Sequence, residues 1–243
     1  MPRKTPPKKS VRAPKGHDQP FPAATPTSLY QDFRSGASWR VFRIMAEFIE
    51  GFEFLADLGK EVTIFGSARV RPDSRWYEEA QKLGGLLGKA GFTVITGGGP
   101  GIMEAANHGA FDVGAESVGL NIELPKEQRI NQYVKRGKGF YYFFTRKVML
   151  SISAQAYIYF PGGVGTVNEF FEIYELFQTK KSEPLPIVLV GKEFWGGVVA
   201  WMKKEMIEGT RYMEPDDLKL FTIVDSAEEA FNLVKDTPER QYP

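Results

Sequence analysis

Residues 156–169, Ala156-Tyr157-Ile158-Tyr159-Phe160-Pro161-Gly162-Gly163-Val164-Gly165-Thr166-Val167-Asn168-Glu169, run from an apolar strand into a glycine-rich turn and on into a helix. Ala156 to Phe160 reads as a buried strand and Val167 to Lys180 as a helix. A strand feeding such a turn into a helix N-terminus forms an anion site. The glycines let the backbone come close, the free N–H groups point at the ligand, and the helix dipole favours negative charge. Thr166 adds a hydroxyl, and Glu169 sets a carboxylate one turn into the helix. A bland alternative exists: Gly162, Gly163 and Gly165 shape a tight turn, and Glu169 complements the helix dipole.

Working outward, the pattern alternates. Val62–Phe65 is a short apolar strand ending in Gly66-Ser67-Ala68-Arg69. Trp76–Ala90 has helical periodicity, and Phe92–Thr96 is a strand ending in Gly97-Gly98-Gly99-Pro100-Gly101. A helix over Ile102–Phe111 and a strand over Ser117–Leu124 follow. The polar run Pro125–Gly139 reads as a connection. It leads through the aromatic patch Phe140–Phe144 to a helix around Arg146–Ser153. Beyond the quoted stretch come a strand (Pro186–Val190), a helix (Trp195–Ile207), a strand (Leu220–Val224) and a last helix to Lys235 capped by Asp225 or Ser226. Apolar strands alternating with amphipathic helices predict an α/β, Rossmann-like, mostly parallel sheet with helices on both faces. Ligands of such sheets sit at the carboxyl ends of the strands. The strand ends at Gly66-Ser67, Gly97–Gly99, Asn121–Glu123 and Gly162-Gly163 are therefore expected to converge on one crevice, which favours a site over a bare turn.

Before this alternation, Trp39–Leu58 is a helix with Trp39, Phe42, Met45, Ile49, Phe52 and Leu55 on one stripe, read as a core or subunit-packing face. Arg40, Arg43, Glu47, Glu50 and Glu53 fall largely elsewhere. Residues 1–28 hold seven of the sixteen prolines and a run of Lys and Arg before the first acid, Asp18. They read as a disordered Pro/Lys-rich tail, with residues 29–243 as a single nucleotide-binding catalytic domain carrying an N-terminal helix extension. The tail is either a polyanion-binding arm or a solvated segment.

Composition narrows the chemistry. The 243 residues carry a net charge of +1, so no global basic field marks a nucleic-acid binder. There is no cysteine, which excludes thiolate metal sites and a Cys nucleophile and suits a reducing cytoplasm. With two histidines, His17 and His108, a multi-His metal centre is implausible. His108 reads as a structural histidine. No apolar run reaches membrane-span length, and no secretory signal opens the chain. Neither G-x-G-x-x-G after the first strand nor G-x-x-x-x-G-K-[ST] is present, so nicotinamide dehydrogenases and P-loop nucleotidases drop in rank.

Other residues admit two readings each. Glu104, in the first turn after the triple glycine, touches a ligand sugar or only favours the dipole. Arg146-Lys147 grips a phosphate or carboxylate, or is a solvated surface pair. The Tyr141–Phe144 cluster stacks on a base or packs the core.

Taken together these residues resemble a known family. Pro161-Gly162-Gly163-Val164-Gly165-Thr166-Val167-Asn168-Glu169 matches the P-G-G-x-G-T-x-x-E signature of the Lonely Guy (LOG) family. Its members are cytokinin riboside 5′-monophosphate phosphoribohydrolases, long mislabelled as lysine decarboxylases. Arg146-Lys147, Gly97–Glu104 and Gly66-Ser67 fit its further motifs, and the likeness runs from about Val62 to Val224. The resemblance implies a modified Rossmann fold in a homodimer or an assembly of dimers. It implies hydrolysis of the N-glycosidic bond of a nucleoside 5′-monophosphate, without metal or cofactor. By position, Arg146 and Glu169 are the expected catalytic residues, and Gly162, Gly163, Gly165 and Thr166 the expected phosphate cradle. Ser67, Gly98, Glu104, Glu127 and Lys147 are expected substrate contacts. Asn168 departs from members with a second acid there, and the tail and first helix extend beyond the minimal family chain. The chemistry suits the residues, because glycosidic cleavage passes through an oxocarbenium-like state that needs a carboxylate close by. Decarboxylation normally needs pyridoxal phosphate on a lysine, and only Lys147 is expected near the site. The rival reading is a non-catalytic nucleotide or cofactor binder, such as the Rossmann-like molybdenum-cofactor carriers.

Overall fold

The computed structural model describes residues 36–123, 130–209 and 211–239. The chain divides into two units, Met1–Arg40 and Val41–Pro243. Of the first, only residues 36–40 are described, and the tail expected over residues 1–28 lies outside the described residues. All described residues from Val41 onward belong to the second unit.

Its strands are β1 (Glu61–Phe65), β2 (Thr93–Thr96), β3 (Ser117–Ile122), β4 (Arg136–Phe140), β5 (Tyr157–Tyr159), β6 (Ile187–Val190) and β7 (Thr222–Val224). They form one sheet in the order β4-β3-β2-β1-β5-β6-β7, and every pairing is parallel. The fold is therefore α/β and Rossmann-like, as the alternation predicted. The strand order reverses between β1 and β5, where Thr63 lies beside Tyr157 and Phe65 beside Tyr159. A crevice opens outside the carboxyl ends of the strands at such a reversal.

The helices are α1 (Ala37–Ala56), α2 (Arg75–Lys89), α3 (Ile102–Asp112), α4 (Phe143–Ile152), α5 (Val164–Gln178), α6 (Lys192–Met202) and α7 (Ala227–Val234). Period-two side chains divide the core between the two faces of the sheet. Val62 and Ile64 of β1, Ile158 of β5, and Val188 and Val190 of β6 meet α2, α3 and α7. Phe65, Tyr157, Tyr159, Ile187 and Leu189 meet α4, α5 and α6 on the other face. With both faces covered, β1, β2, β3, β5 and β6 are buried along their whole length, which is why they read as continuous apolar runs. Ser226 caps α7 by accepting the Glu229 N–H, one of the two caps expected there. No helix among the described residues is long and apolar enough to cross a membrane.

Two sequence expectations need correction, and a third is narrowed. The polar connection Pro125–Gly139 contains most of a strand: β4, Arg136-Gly137-Lys138-Gly139-Phe140, pairs with β3 over five residues. It is an edge strand. Its charges and glycines, which hid it, are what blunts an edge against further pairing. Helices α4 and α5 each begin three residues earlier than expected, at Phe143 and Val164, which brings Gly165 and Thr166 into the first turn of α5. Helix α1 forms as expected, but of its expected apolar stripe only Leu55 is buried, which leaves subunit packing as the open reading for the exposed remainder. Val41, Phe42, Met45, Ile49 and Phe52 are exposed, whereas Glu47, Gly51 and Leu55 are buried.

Candidate active site

Three turns meet at the reversal point. The Ser67 N–H after β1 donates to Pro161 O after β5 at 3.1 Å, and the Ile102 N–H at the start of α3 donates to Ser67 O at 3.1 Å. Gly101 makes the second contact possible: its φ is +69°, and a Cβ there would strike Ser67 O. A crevice of ≈ 620 Å³ opens beside these joints. Its walls are Gly66–Arg69 after β1, Gly97 and Met103 around the second turn, Ile122 at the end of β3, Phe143 and Arg146 of α4, and Gly163–Thr166 with Glu169 of α5.

The first-turn N–H groups of α5 have no intrahelical partners, and Gly163, Val164, Gly165 and Thr166 line the crevice with that turn. Helix α5 is anchored beneath by aromatic packing. Phe170 is fully buried against Tyr159, Tyr174, Trp195 and Phe221, with ring centroids 5.4 to 5.6 Å away. The Trp195 indole N–H donates to Tyr159 O at 3.1 Å, and the Tyr159 hydroxyl donates to Glu169 O at 3.3 Å. Removing a ring as central as Phe170 typically costs about 3–5 kcal/mol. The helix bearing the glycine turn is therefore anchored in the core.

Arg146 and Glu169 face each other across the crevice. Arg146 Nη1 is 3.9 Å from Glu169 Oε1, with side chains 11% and 20% exposed. The Arg146 Nε–H donates to Leu120 O at 2.7 Å, and its Nη2 lies so close to Gly97 that a Cβ there would collide with it. Burial pushes the Glu169 carboxyl up to about 7, against the pull of Arg146 and then Lys147, while Glu172 pushes it further up. Burial lowers the Arg146 guanidinium, and Glu169 opposes that change.

Of the residues singled out by sequence, Ser67, Arg146, Gly163, Gly165, Thr166 and Glu169 line the one crevice. Gly162 stands just behind it, packed so tightly on Thr166 Oγ1 that no Cβ fits. Three other expected contacts, Gly98, Glu104 and Lys147, do not line the crevice. Gly98 lies under the wall, where its N–H donates to Thr96 Oγ1 at 2.9 Å and its O accepts the Asn131 N–H at 2.8 Å; the neighbouring Gly97 faces the crevice instead. Glu104 does not line the crevice; its charge acts on the Tyr77 hydroxyl, which burial and then this carboxylate push up to about 12. Lys147 sits behind Glu169 and pairs with Glu172 at 2.5 Å, because the residue after Arg146 is rotated about 100° around the helix. Glu127 lies outside the described residues. His108 stacks on Tyr133 with centroids 3.8 Å apart and meets Asp112 at 3.3 Å, a structural setting as expected.

Sequence reasoning gave no separate role to two lining side chains, Arg69 and Met103, whereas Ile122 lies in the Asn121–Glu123 strand end expected to converge there. Arg69 was findable, since it follows Gly66-Ser67 at the end of the strand that borders the reversal. Phe143 belonged to a cluster with two open readings; the structure exposes it and sets it on the crevice wall.

Comparison with known proteins agrees with this architecture. The family model described as "possible lysine decarboxylase" matches residues 103–234, more than half of the chain. A cytokinin riboside 5′-monophosphate phosphoribohydrolase of Rhodococcoides fascians is 24% identical over 156 residues, covering 62% of this chain and 77% of that protein. Among solved structures, the protein TM1055 aligns with a TM-score of 0.55 and 24% identity over 72% of this chain and 98% of its own. The molybdenum cofactor binding protein of Rippkaea orientalis aligns at 0.54 and 20% identity, over 72% and 93% of the two chains. The molybdenum cofactor carrier protein of Chlamydomonas reinhardtii aligns at 0.53 and 20%, over 73% and 96%. At these identities the structures attest the fold. The extent of the family match, carrying Arg146 and the glycine turn with Glu169, decides membership: the chain belongs to the family described as possible lysine decarboxylase, the Lonely Guy (LOG) family.

Proposed function

We propose that the chain hydrolyses the N-glycosidic bond of a nucleoside 5′-monophosphate, AMP or a cytokinin riboside 5′-monophosphate, to free base and ribose 5-phosphate. The observation that carries this reading is the buried Glu169 carboxylate, 3.9 Å from Arg146 and one turn into the helix whose N-terminus faces the crevice. The 5′-phosphate takes the N–H groups at Gly163–Thr166, and Arg69 at the mouth adds a cation. Phosphate binding then aligns the sugar for attack. As the C1′–N bond breaks, its electron pair leaves on the base nitrogen, which takes up a proton. Glu169 stabilises the ribosyl cation and accepts the proton of the water whose oxygen bonds to C1′. A carboxyl poised at about 7 is matched to that task near neutral pH. Arg146 opposes the burial that would otherwise keep Glu169 protonated, and it can reach the departing base or the phosphate.

A lysine-bound pyridoxal phosphate does not fit. No lysine among the described residues lines the crevice, and Lys147 is held by Glu172. The decisive experiment is incubation with a panel of nucleoside monophosphates, scored by free base and ribose 5-phosphate. Release from at least one, abolished in Glu169→Ala while nucleotide still binds, supports the reading. Thermal stabilisation by nucleotide with no product from any of them supports carriage instead. Base release by Glu169→Ala at the parent rate removes Glu169 from the mechanism.

We further infer that a second copy of the chain covers the apolar face of α1. Phe42, Met45 and Ile49 are exposed on α1, Tyr141, Phe143 and Phe144 are exposed on the segment that α1 contacts through Arg43 and Phe48, and Phe143 also lines the crevice.

A further inference from the structure

We propose that Glu47, on α1, is a positioning residue for the Arg146–Glu169 pair: its buried carboxylate fixes the first turn of α4 and thereby sets where the Arg146 guanidinium stands. Glu47 is 8% exposed, on the side of α1 that carries the buried Gly51 and Leu55 and packs Phe48 against the core. One carboxylate oxygen accepts the Tyr141 N–H at 2.8 Å, and the other accepts the Tyr142 N–H at 3.3 Å and the Thr145 hydroxyl at 2.6 Å. Tyr142 occupies the cap position of α4, and its own side chain makes no capping hydrogen bond. A helix start needs acceptors for its free N–H groups, and a carboxylate there also answers the positive end of the dipole. Glu47 thus caps α4 from a separate helix, almost a hundred residues earlier in the chain.

The neighbourhood is built for this reach. One turn beyond Glu47, Gly51 lies so close to α4 that a Cβ would sit 2.6 Å from Met149 Sδ. Arg43 covers the Tyr141 ring at 3.8 Å, Glu50 pairs with Lys138, and Asp57 meets Arg136 at 3.5 Å. Helix α1 therefore fastens the segment from β4 into α4 along its length. Arg146 follows Thr145 directly, and its Nε is committed to Leu120 O, so a shift of that first turn moves the guanidinium relative to Glu169.

The role predicts a change of definite sign. Glu169 is faced by Arg146 and Lys147 of α4, by Glu172 of its own helix, and by the Tyr159 ring of β5. If Glu47→Ala lets α4 drift, the pull of Arg146 weakens and Glu169 titrates higher. Simple loss of a negative charge from the neighbourhood would move Glu169 lower. Glu47→Gln removes the charge but keeps an oxygen for the Tyr141 N–H, and its amide can still meet the Thr145 hydroxyl.

The kinetic part of the test rests on the hydrolase reading above, and the titration part does not. Carbon-13 NMR of the Glu carboxyls, with Glu169 identified by its loss in Glu169→Gln, reads the midpoint without substrate. The expected result is an upward shift in Glu47→Ala and none upward in Glu47→Gln. With a nucleotide that the parent cleaves, Glu47→Ala loses about 10²-fold in kcat with KM little changed. Its ascending pH limb moves to higher pH, and Glu47→Gln largely restores both. If the parent cleaves no nucleotide, the hydrolase reading fails while the titration still decides the role of Glu47. Should Glu47→Ala fail to fold, Thr145→Val removes one donor from the same cap and should move the midpoint upward by less. A folded Glu47→Ala, or failing that a folded Thr145→Val, with the Glu169 midpoint unmoved or lowered overturns the proposal.

Discussion

The Arg146 guanidinium stands 3.9 Å from the Glu169 carboxylate, and both groups are largely withdrawn from water. Two effects compete at Glu169. Desolvation favours the neutral acid, and Arg146 favours the anion. Desolvation wins, and the carboxyl settles at about 7 instead of its ordinary value of 4.5.

That outcome makes stability depend on pH with a fixed sign. The folded chain holds the Glu169 proton more tightly than the unfolded chain does. The associated stability is fully present below pH 4.5 and is lost as pH rises through about 7. Glu169→Gln, which mimics the protonated acid, should therefore match the parent near pH 4.5 and exceed it above pH 7. The gain is at most ~3 kcal/mol, or roughly 5–10 °C in Tm for a chain of this size. Thermal melts of the two proteins between pH 4.5 and 8 measure it. A Glu169→Gln protein no more stable than its parent at pH 8 contradicts the argument.

Gly97 offers a second probe of the same pair. Its φ is not in the left-handed region, so alanine suits the backbone, yet a Cβ would collide with Arg146 Nη2 and come within 2.8 Å of Met103 Sδ. Gly97→Ala should fold with a modest loss of about 1–3 kcal/mol and lose activity about 10²-fold through displacement of the guanidinium. Parent-like kcat in a folded Gly97→Ala would show that the position of Arg146 does not matter.

How far the sequence disclosed this arrangement follows from what kind of pattern each part leaves. Strands buried on both faces leave unbroken apolar runs, so β1 and β5 were legible, and with them the glycine turns; the reversal between them depends on strand order, which periodicity does not carry. Strand β4 was not, because an edge is kept polar and its glycines resemble a loop. Periodicity disclosed α1 but not which stripe would be buried: the buried side combines Leu55 and Phe48 with Gly51 and a carboxylate, Glu47, that accepts three hydrogen bonds, and a charge at that position hid it. Arg146 and Lys147 looked like one feature in the sequence. The helix separates them, sending one to the crevice and the other to Glu172 behind it.

Arg69 is the exposed cation on the crevice wall, placed after β1 beside the glycine turn of α5. If it meets the substrate phosphate, Arg69→Ala should raise KM about tenfold with kcat nearly unchanged, the pattern of lost uniform binding. The parent KM should also rise with added salt more steeply than that of the variant, since an exposed ion pair is screened. Steady-state kinetics at two ionic strengths check both. An unchanged KM with a fallen kcat would instead put Arg69 in the chemical step.

The exposed row on α1 leads to the last prediction. Phe42, Met45, Ile49 and Phe52 are each at least half exposed, while the opposite side of the helix is committed to Glu47, Gly51 and Leu55. A row of this kind left in water is an association surface. If a second copy covers it, Ile49→Asp and Phe42→Asp each place a charge in the contact, and light scattering should show a smaller species than the parent. Because Phe143 belongs both to the exposed apolar set and to the crevice wall, the smaller species should also bind nucleotide more weakly. Loss of assembly with unchanged binding would mean that the crevice is complete within one chain. An unchanged assembly in both variants would mean that α1 faces something other than a second copy.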